Sequence, residues 1–350
     1  MTNVLISGAG VAGLTLAHYL ARAGHQVTIA ERAPSVRNTG YAVDFRGAAF
    51  EVLAELGLLA AVREHDTRMG GTDLLDRDGT HIGELPAEAF AGELEVPKHT
   101  VSKLLYDLIA DRAQVRFGTS ITALTPDVAA VTAEFTDGTT ETYELVFGAD
   151  GVYSKVRQLA FVPHSAALHH LGMSGAGFTM PNFLGLDHRG VLRTVGRTTV
   201  YAFNSGAPDR LTVSLSFATP NGDLDRLPRA EQEAALRTAF ADDGWHTPRL
   251  LAAMTEATDF YFSSTTQVQL DTWSSGRIAL LGDAGYCAAP TAGMGTSQAL
   301  LGARSLARHL AAAEHPEAFA KYEAELRPYV TENQEAGRTA AAMFGSGPAS

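Results

Sequence analysis

The chain opens on the apolar triplet Val4-Leu5-Ile6. Gly8-Ala9-Gly10-Val11-Ala12-Gly13 follows, then an apolar run at helical spacing to Ala23, then Gly24 and a second apolar stretch from Val27 to Ala30. That order predicts strand, glycine turn, helix and strand, the start of a parallel βαβ unit. Phe50, Leu53, Leu56 and Leu59 or Ala60 recur at helical intervals and predict a helix over Ala48 to Glu64. Residues 71 to 96 turn polar and Gly-rich, with Asp76-Arg77-Asp78-Gly79 as a hairpin turn.

A helix near Val101 to Arg112 and a strand at Val115 to Phe117 come next. Two antiparallel strands, Val131 to Phe135 and Thr140 to Leu145, flank the turn Thr136-Asp137-Gly138. From about 165 to 265 the period becomes two: Leu211, Val213, Leu215 and Phe217 alternate with Thr and Ser, the mark of a half-buried antiparallel strand. The chain then returns to an apolar strand, Arg277 to Leu281, before the glycine-rich stretch GDAGYCAAPTAGMG. Ala299, Leu300, Ala303, Leu306, Ala307 and Leu310 form one face of a helix after it, and a last helix starts near Pro316. Residues 345–350 read as a disordered tail.

Composition narrows the class. At 350 residues, with 45% hydrophobic and 19% charged residues, the chain is globular and long enough for about two domains. A net charge of -12 argues against a nucleic-acid or anionic-membrane partner, since either needs a basic face. The first 21 residues carry no charged side chain, but they lack a basic start, which reads against a signal peptide. No stretch has the roughly 20 apolar residues that span a bilayer. One cysteine, Cys287, excludes an internal disulfide, reads as a small buried hydrophobe, and points to a reducing cytoplasm. The pair His169-His170 lacks partners at metal-ligand spacing, so no metal is expected.

Gly8-x-Gly10-x-x-Gly13 between strand and helix suits a dinucleotide pyrophosphate, because the glycines admit a close backbone and the helix N-terminus offers free N–H groups. Glu31, 18 residues on and at the end of the second strand, can accept from a ribose diol; Arg32 follows it. This fingerprint leaves NAD and FAD both open.

Two later stretches bear on that choice. Gly148-Ala149-Asp150-Gly151-Val152-Tyr153-Ser154-Lys155-Val156-Arg157 ends one strand and starts a helix, and Gly282-Asp283 ends another, ahead of Pro290 and Gly293-Met294-Gly295. In this order the three segments resemble the flavin-dependent aromatic hydroxylases related to p-hydroxybenzoate hydroxylase, whose motifs are GxGxxG, "DG" and "GD". The resemblance covers nearly the whole chain. It implies an α/β fold: a discontinuous Rossmann-like FAD-binding domain (1–70, 97–164 and 266–340), an inserted, mainly antiparallel substrate domain (71–96 and 165–265), and C-terminal helices.

The resemblance also assigns residues. Gly8, Gly10, Val11, Ala12 and Gly13 would hold the FAD pyrophosphate, and Glu31 and Arg32 the adenosine side. Asp283 would fix the ribityl hydroxyls, while Pro290, Gly293, Met294 and Gly295 approach the ring. The helix after them would stabilise the charge of the reduced flavin. Asp150 and Arg157 are implied as cofactor residues, as is Arg46 of Asp44-Phe45-Arg46-Gly47. Lys98 stands where members usually carry arginine, a point charge in place of a planar fork. Many members read GDAAH where this chain has Tyr286 and Cys287, and Gly302 replaces a common Asp.

The implied reaction is reduction of FAD by NAD(P)H, a transient co-substrate, followed by a C4a-hydroperoxyflavin that hydroxylates an aromatic, phenolic or polyketide-like molecule with O2. A same-fold oxidase, reductase or Baeyer–Villiger enzyme stays open, as does a nonredox ligand-sequestering flavoprotein. Phe178, Met180, Phe183, Tyr201, Phe203, Phe217 and Phe262 are candidates for the substrate pocket, no catalytic base is named, and a monomer or weak homodimer is expected.

Overall fold

The computed structural model describes residues 1–36 and 42–346. Its first sheet has six strands in the order Ser274–Ser275, Ile278–Leu280, Leu145–Gly148, Asn3–Ser7, Gln26–Glu31 and Gln114–Phe117. All neighbours are parallel except the first pair. Both faces of this sheet are covered, which explains why its strands read as unbroken apolar runs. Val4, Ile6, Val27, Ile29, Phe147 and Leu281 pack into the core shared with the flanking helices. Leu5, Val146, Ile278 and Leu280 point the other way, into a core shared with the three-stranded sheet Ile121–Pro126, Val131–Phe135 and Thr140–Tyr143.

The second sheet has seven strands in the order Tyr261–Val268, Leu168–Pro181, Arg210–Ala218, Thr198–Phe203, Gly190–Val195, Thr72–Leu75 and His81–Leu85. Here alternation decides the faces. Leu211, Val213, Leu215 and Phe217 are buried under the helices Arg229–Ala239 and Thr247–Glu256, whereas Thr212, Ser214 and Ser216 lie on the opposite face. A two-stranded ribbon, Ala42–Phe45 with Leu94–Pro97, lies between the stretches that supply the two larger sheets.

Several boundaries differ from the sequence reading. The helix expected over Ala48 to Glu64 is two, Ala49–Glu55 and Leu59–Glu64, because Gly57 adopts φ +72° and ends the first. The helix expected from Val101 starts earlier, at Lys98, and ends at Asp107. The last helix, His315–Ser346, includes Gly345 and Ser346 of the expected disordered tail; residues 347–350 lie outside the described residues. No helix among the described residues is long and apolar enough to cross a membrane.

Candidate active site

Strand order alone places a site. From Asn3–Ser7 the sheet grows toward Gln26–Glu31 on one side and toward Leu145–Gly148 on the other, so the crevice at their C-terminal ends is a topological switch point. The GxGxxG, DG and GD segments all leave the sheet there, tied by backbone bonds from Gly8 N–H to the Ala30 carbonyl (2.8 Å), Ala149 to Ser7 (2.8 Å) and Leu281 to Gly148 (2.8 Å).

The glycines fit by sterics. Gly8 has φ +102°, and a Cβ there would stand 2.5 Å from the Ala149 carbonyl oxygen; one at Gly13 would stand 2.0 Å from the oxygen of Gly8. Beside Gly10, in contrast, the space is open. The helix Val11–Arg22 has no side-chain cap and no acid in its first turn, and its Leu14 N–H bonds back to Gly10 (2.9 Å). The N–H groups before Leu14 therefore face the open side, an arrangement suited to an anion. The helix Gly295–Ala312 is likewise uncapped and free of first-turn acids, behind Gly293 in the left-handed region (φ +62°).

Glu31 is already engaged: its carboxylate accepts from Ala9 N–H (2.8 Å) and Ala33 N–H (2.7 Å), which pins the glycine turn to the second strand. Arg32 beside it is exposed. Asp283 faces the glycine loop, its Oδ1 3.9 Å from where a Gly295 Cβ would stand. Burial pushes its carboxyl above the ordinary range, opposed by the Lys98 ammonium and the Cys287 thiol. Lys98, at the start of Lys98–Asp107, is thus brought to the GD segment from 185 residues away in sequence.

Arg46 is also brought there. Its backbone N–H donates to Ser297 Oγ (3.2 Å), its Nε to Asp44 Oδ2 (2.7 Å), and its guanidinium lies beside Gly293. The loop is held from behind: Gln267 donates to the Ala288 carbonyl (3.1 Å), Thr291 Oγ1 to that of Gly337 (2.8 Å), and a Cβ on Gly337 would stand 2.2 Å from Ala288 O. Ala289 carries φ +76° with ψ 154°, a conformation that strongly favours glycine.

Asp150 and Arg157, implied as cofactor residues, carry loads inside the protein. The Asp150 carboxylate accepts from Ser7 Oγ (3.3 Å), Ser154 Oγ, Lys155 N–H (2.8 Å) and Val156 N–H (3.1 Å), so its lone pairs are spent capping the helix Lys155–Ala160. Arg157 is fully buried and donates to the carbonyls of Ala284 (2.8 Å) and Val152 (2.6 Å), clamping the DG turn to the GD helix. Both side chains position the site from within.

The pocket candidates divide by sheet face. Phe178, Met180, Phe217 and Phe262 belong to the core beneath the two helices, and Phe183 packs on that core under the Arg249 guanidinium (3.8 Å). Alternation sets the four strand residues on this helix-covered face. Tyr201 and Phe203 are on the other face, level with Ser214 and Thr212, and stacked 4.9 Å apart. Phe90, which the sequence reading missed, stacks on Tyr201 (4.7 Å), and its helix, Glu88–Ala91, touches Arg46 through the Glu88 carbonyl (3.5 Å).

Asp44 and Glu95 were missed too. The alternation Leu94-Glu95-Val96, two buried residues around a half-buried acid, was the available signal.

The FAD binding domain family matches residues 1–337. A flavin-dependent monooxygenase of Legionella longbeachae is 35% identical over 341 residues, covering 96% of this chain and 87% of that protein. An uncharacterised protein of Mycobacterium tuberculosis is 38% identical over 342 residues, 95% of this chain and 92% of its own. Among solved structures, tetracycline destructase Tet(55) superposes with a TM-score of 0.90 at 34% identity, covering 100% of this chain and 92% of that one. Three strand ends meeting at one switch point and two uncapped helix N-termini fit FAD, and the chain belongs to the FAD-dependent monooxygenases built on this FAD-binding domain.

Proposed function

We propose that this enzyme uses NAD(P)H and O2 to hydroxylate a planar, hydroxyl-bearing aromatic or polyketide-like molecule, held between the glycine loop 290–295 and the polar face of the seven-stranded sheet. The observation that carries this reading is that face. Around the Tyr201–Phe203–Phe90 stack lie Thr212, Ser214, Ser216, Gly175 and Gly177, small or hydroxyl-bearing residues that leave width for fused rings and supply hydrogen bonds at their rims. Similarity to a tetracycline destructase supports the same class, since tetracycline is a four-ring polyhydroxylated molecule.

Bound FAD, once reduced, supplies activation of O2 and delivery of one oxygen atom. The rest is the protein's part. The Val11–Arg22 helix receives the pyrophosphate, Asp283 and Lys98 the ribityl chain, and the N-terminus of Gly295–Ala312 the negative charge of the ring. Tyr201 and Phe203 exclude water from the reacting edge and orient the substrate. The chain carries one GxGxxG, so NAD(P)H would be a transient visitor to the same crevice.

The test is NADH and NADPH oxidation by the FAD-loaded protein with phenolic polyketides and with tetracycline, under labelled O2. Stimulated oxidation with one labelled oxygen in the product supports the reading. Turnover without label points to a non-oxygenating oxidoreductase, and the absence of any stimulation overturns the substrate class.

A further inference from the structure

In the antiparallel ribbon of Ala42–Phe45 with Leu94–Pro97, Asp44 stands directly opposite Glu95. Directly paired side chains share a face about 5 Å apart, and like charges in that position repel. The two carboxylates have different surroundings. Asp44 is taken by Arg46 (2.7 Å). Glu95 has no arginine: Thr67 Oγ1 donates to its Oε2 (2.7 Å), the Thr67 N–H donates to the Glu95 carbonyl (2.8 Å), and no hydrogen bond from the described residues occupies Oε1. Thr67 is itself buried, so the acid is held in one orientation. Its strand partner Asp44 has Oδ2 3.4 Å from where a Gly293 Cβ would stand, which sets the ribbon beside the glycine loop, and the Glu95 charge acts on the Tyr201 phenol.

We propose that Glu95 is a catalytic base that takes the proton of an acidic hydroxyl on the bound substrate, with Thr67 orienting it. This rests on the function proposed above. In the step, the substrate O–H bond breaks, its electron pair stays on the substrate oxygen, and the proton bonds to Glu95 Oε1. Nothing is oxidised or reduced at that point, and the electron-rich ring carbon that results is then ready to accept oxygen in the monooxygenation proposed above. The proton later leaves to solvent.

The electrostatics favour the transfer. Burial pushes the Glu95 carboxyl up to about 7; the Thr67 hydrogen bond opposes this, and the charges of Asp44 and Asp66 add to it. Facing it are Asp44, half-neutralised by Arg46, then Asp66, and from the seven-stranded sheet Tyr201, which burial holds protonated. Accepting a proton relieves the repulsion between Glu95 and Asp44. Glu95 is therefore a stronger base than an exposed glutamate and is matched to phenols and enols near neutral pH.

Binding tests this without turnover. Oxidised, FAD-loaded wild type, Glu95→Gln and Glu95→Asp are titrated with 2-naphthol and with 2-methoxynaphthalene, following the flavin absorbance, between pH 6 and pH 8. For the wild type, 2-naphthol should tighten by about tenfold across that range as the carboxylate forms and accepts its O–H. The ether should show no such change. Glu95→Gln should bind 2-naphthol independently of pH and lose about a hundredfold or more in kcat at little changed KM, while Glu95→Asp regains part of both. A pH-independent wild type, or the same pH response in Glu95→Gln with FAD and thermal stability retained, overturns the assignment of the base alone. Failure of both naphthalenes to perturb the wild-type flavin overturns the cleft reading together with it.

Discussion

Tyr286 and Gly302 explain each other. The Tyr286 phenol is buried, its Oη shares a hydrogen bond with Tyr322 Oη (2.9 Å), and a Cβ on Gly302 would stand 2.1 Å from it. Two departures from the family pattern, a tyrosine for histidine and a glycine for aspartate, are thus one packing change: the larger ring takes the space that the missing side chain vacates. Trp273, 4.4 Å away, and the Tyr322 bond to the Leu280 carbonyl (3.0 Å) keep the ring from yielding. Gly302→Ala should accordingly cost about 1–3 kcal/mol of overpacking in guanidinium unfolding, and adding Tyr286→Phe should recover part of it. An unchanged midpoint in Gly302→Ala contradicts the geometry. Cys287 next to this box is inert, because burial and the Asp283 charge push its thiol well above the ordinary range.

Glu95 gives a residue-scale prediction for stability as well. Its folded-state value near 7 lies above the ordinary 4.5, so the folded chain holds this proton more tightly than the unfolded chain does. The associated stability is fully present below pH 4.5 and is lost as pH rises through 7. Wild type should therefore fall behind Glu95→Gln across that window, by about 3 kcal/mol at most, and run parallel to it above. Denaturant midpoints measured at intervals of pH decide this; two parallel curves throughout would mean that Glu95 is solvated like a surface acid.

Among elements, the seven-stranded sheet shows how alternation sorts residues that composition cannot. Phe178 pairs with Val213, facing the helices, and Tyr201 pairs with Ser214, facing the cleft. Phe178→Ala should then cost about 3–5 kcal/mol with ligand affinity of the folded protein unchanged. Tyr201→Ala should weaken a planar phenol about tenfold, through a lost stacking contact of about 1.4 kcal/mol. Equal effects of the two substitutions on both measurements would put the cleft on the wrong face. Seven aromatic or sulfur-bearing candidates were legible in the sequence, but only Tyr201 and Phe203 reach this side. Which face is buried depends on helices 229–239 and 247–256, which nothing local to the strands announces.

At the scale of the whole molecule, the proposed cofactor site is made of strand ends drawn from residues 8, 148 and 282, so FAD binding there would couple to the folding of three distant segments. A ligand that binds only the folded chain at 100 times its Kd adds about 2.7 kcal/mol. That increment should be present in wild type and in Cys287→Ser and absent or much reduced in Asp283→Ala, read as the FAD dependence of Tm. Equal increments in Asp283→Ala and Cys287→Ser would remove Asp283 from the site.

What the sequence determined by itself is local. A glycine spacing that admits backbone to a phosphate, apolar runs that must be buried on both sides, and strand ends followed by Gly-Asp or Asp-Gly are read from neighbours in the chain. From them came a dinucleotide site and the three motifs in their order, and the resemblance those motifs carry supplied FAD and the fold class. Tertiary structure alone decided which polar groups were already spent. Asp150 is saturated by Ser7, Ser154 and two N–H groups, and Arg157 is closed inside against Ala284. Glu95 is left without an arginine because its strand partner Asp44 holds it. A hydrogen bond consumes a lone pair or a donor wherever the chain happens to return, and that return is a property of packing over hundreds of residues.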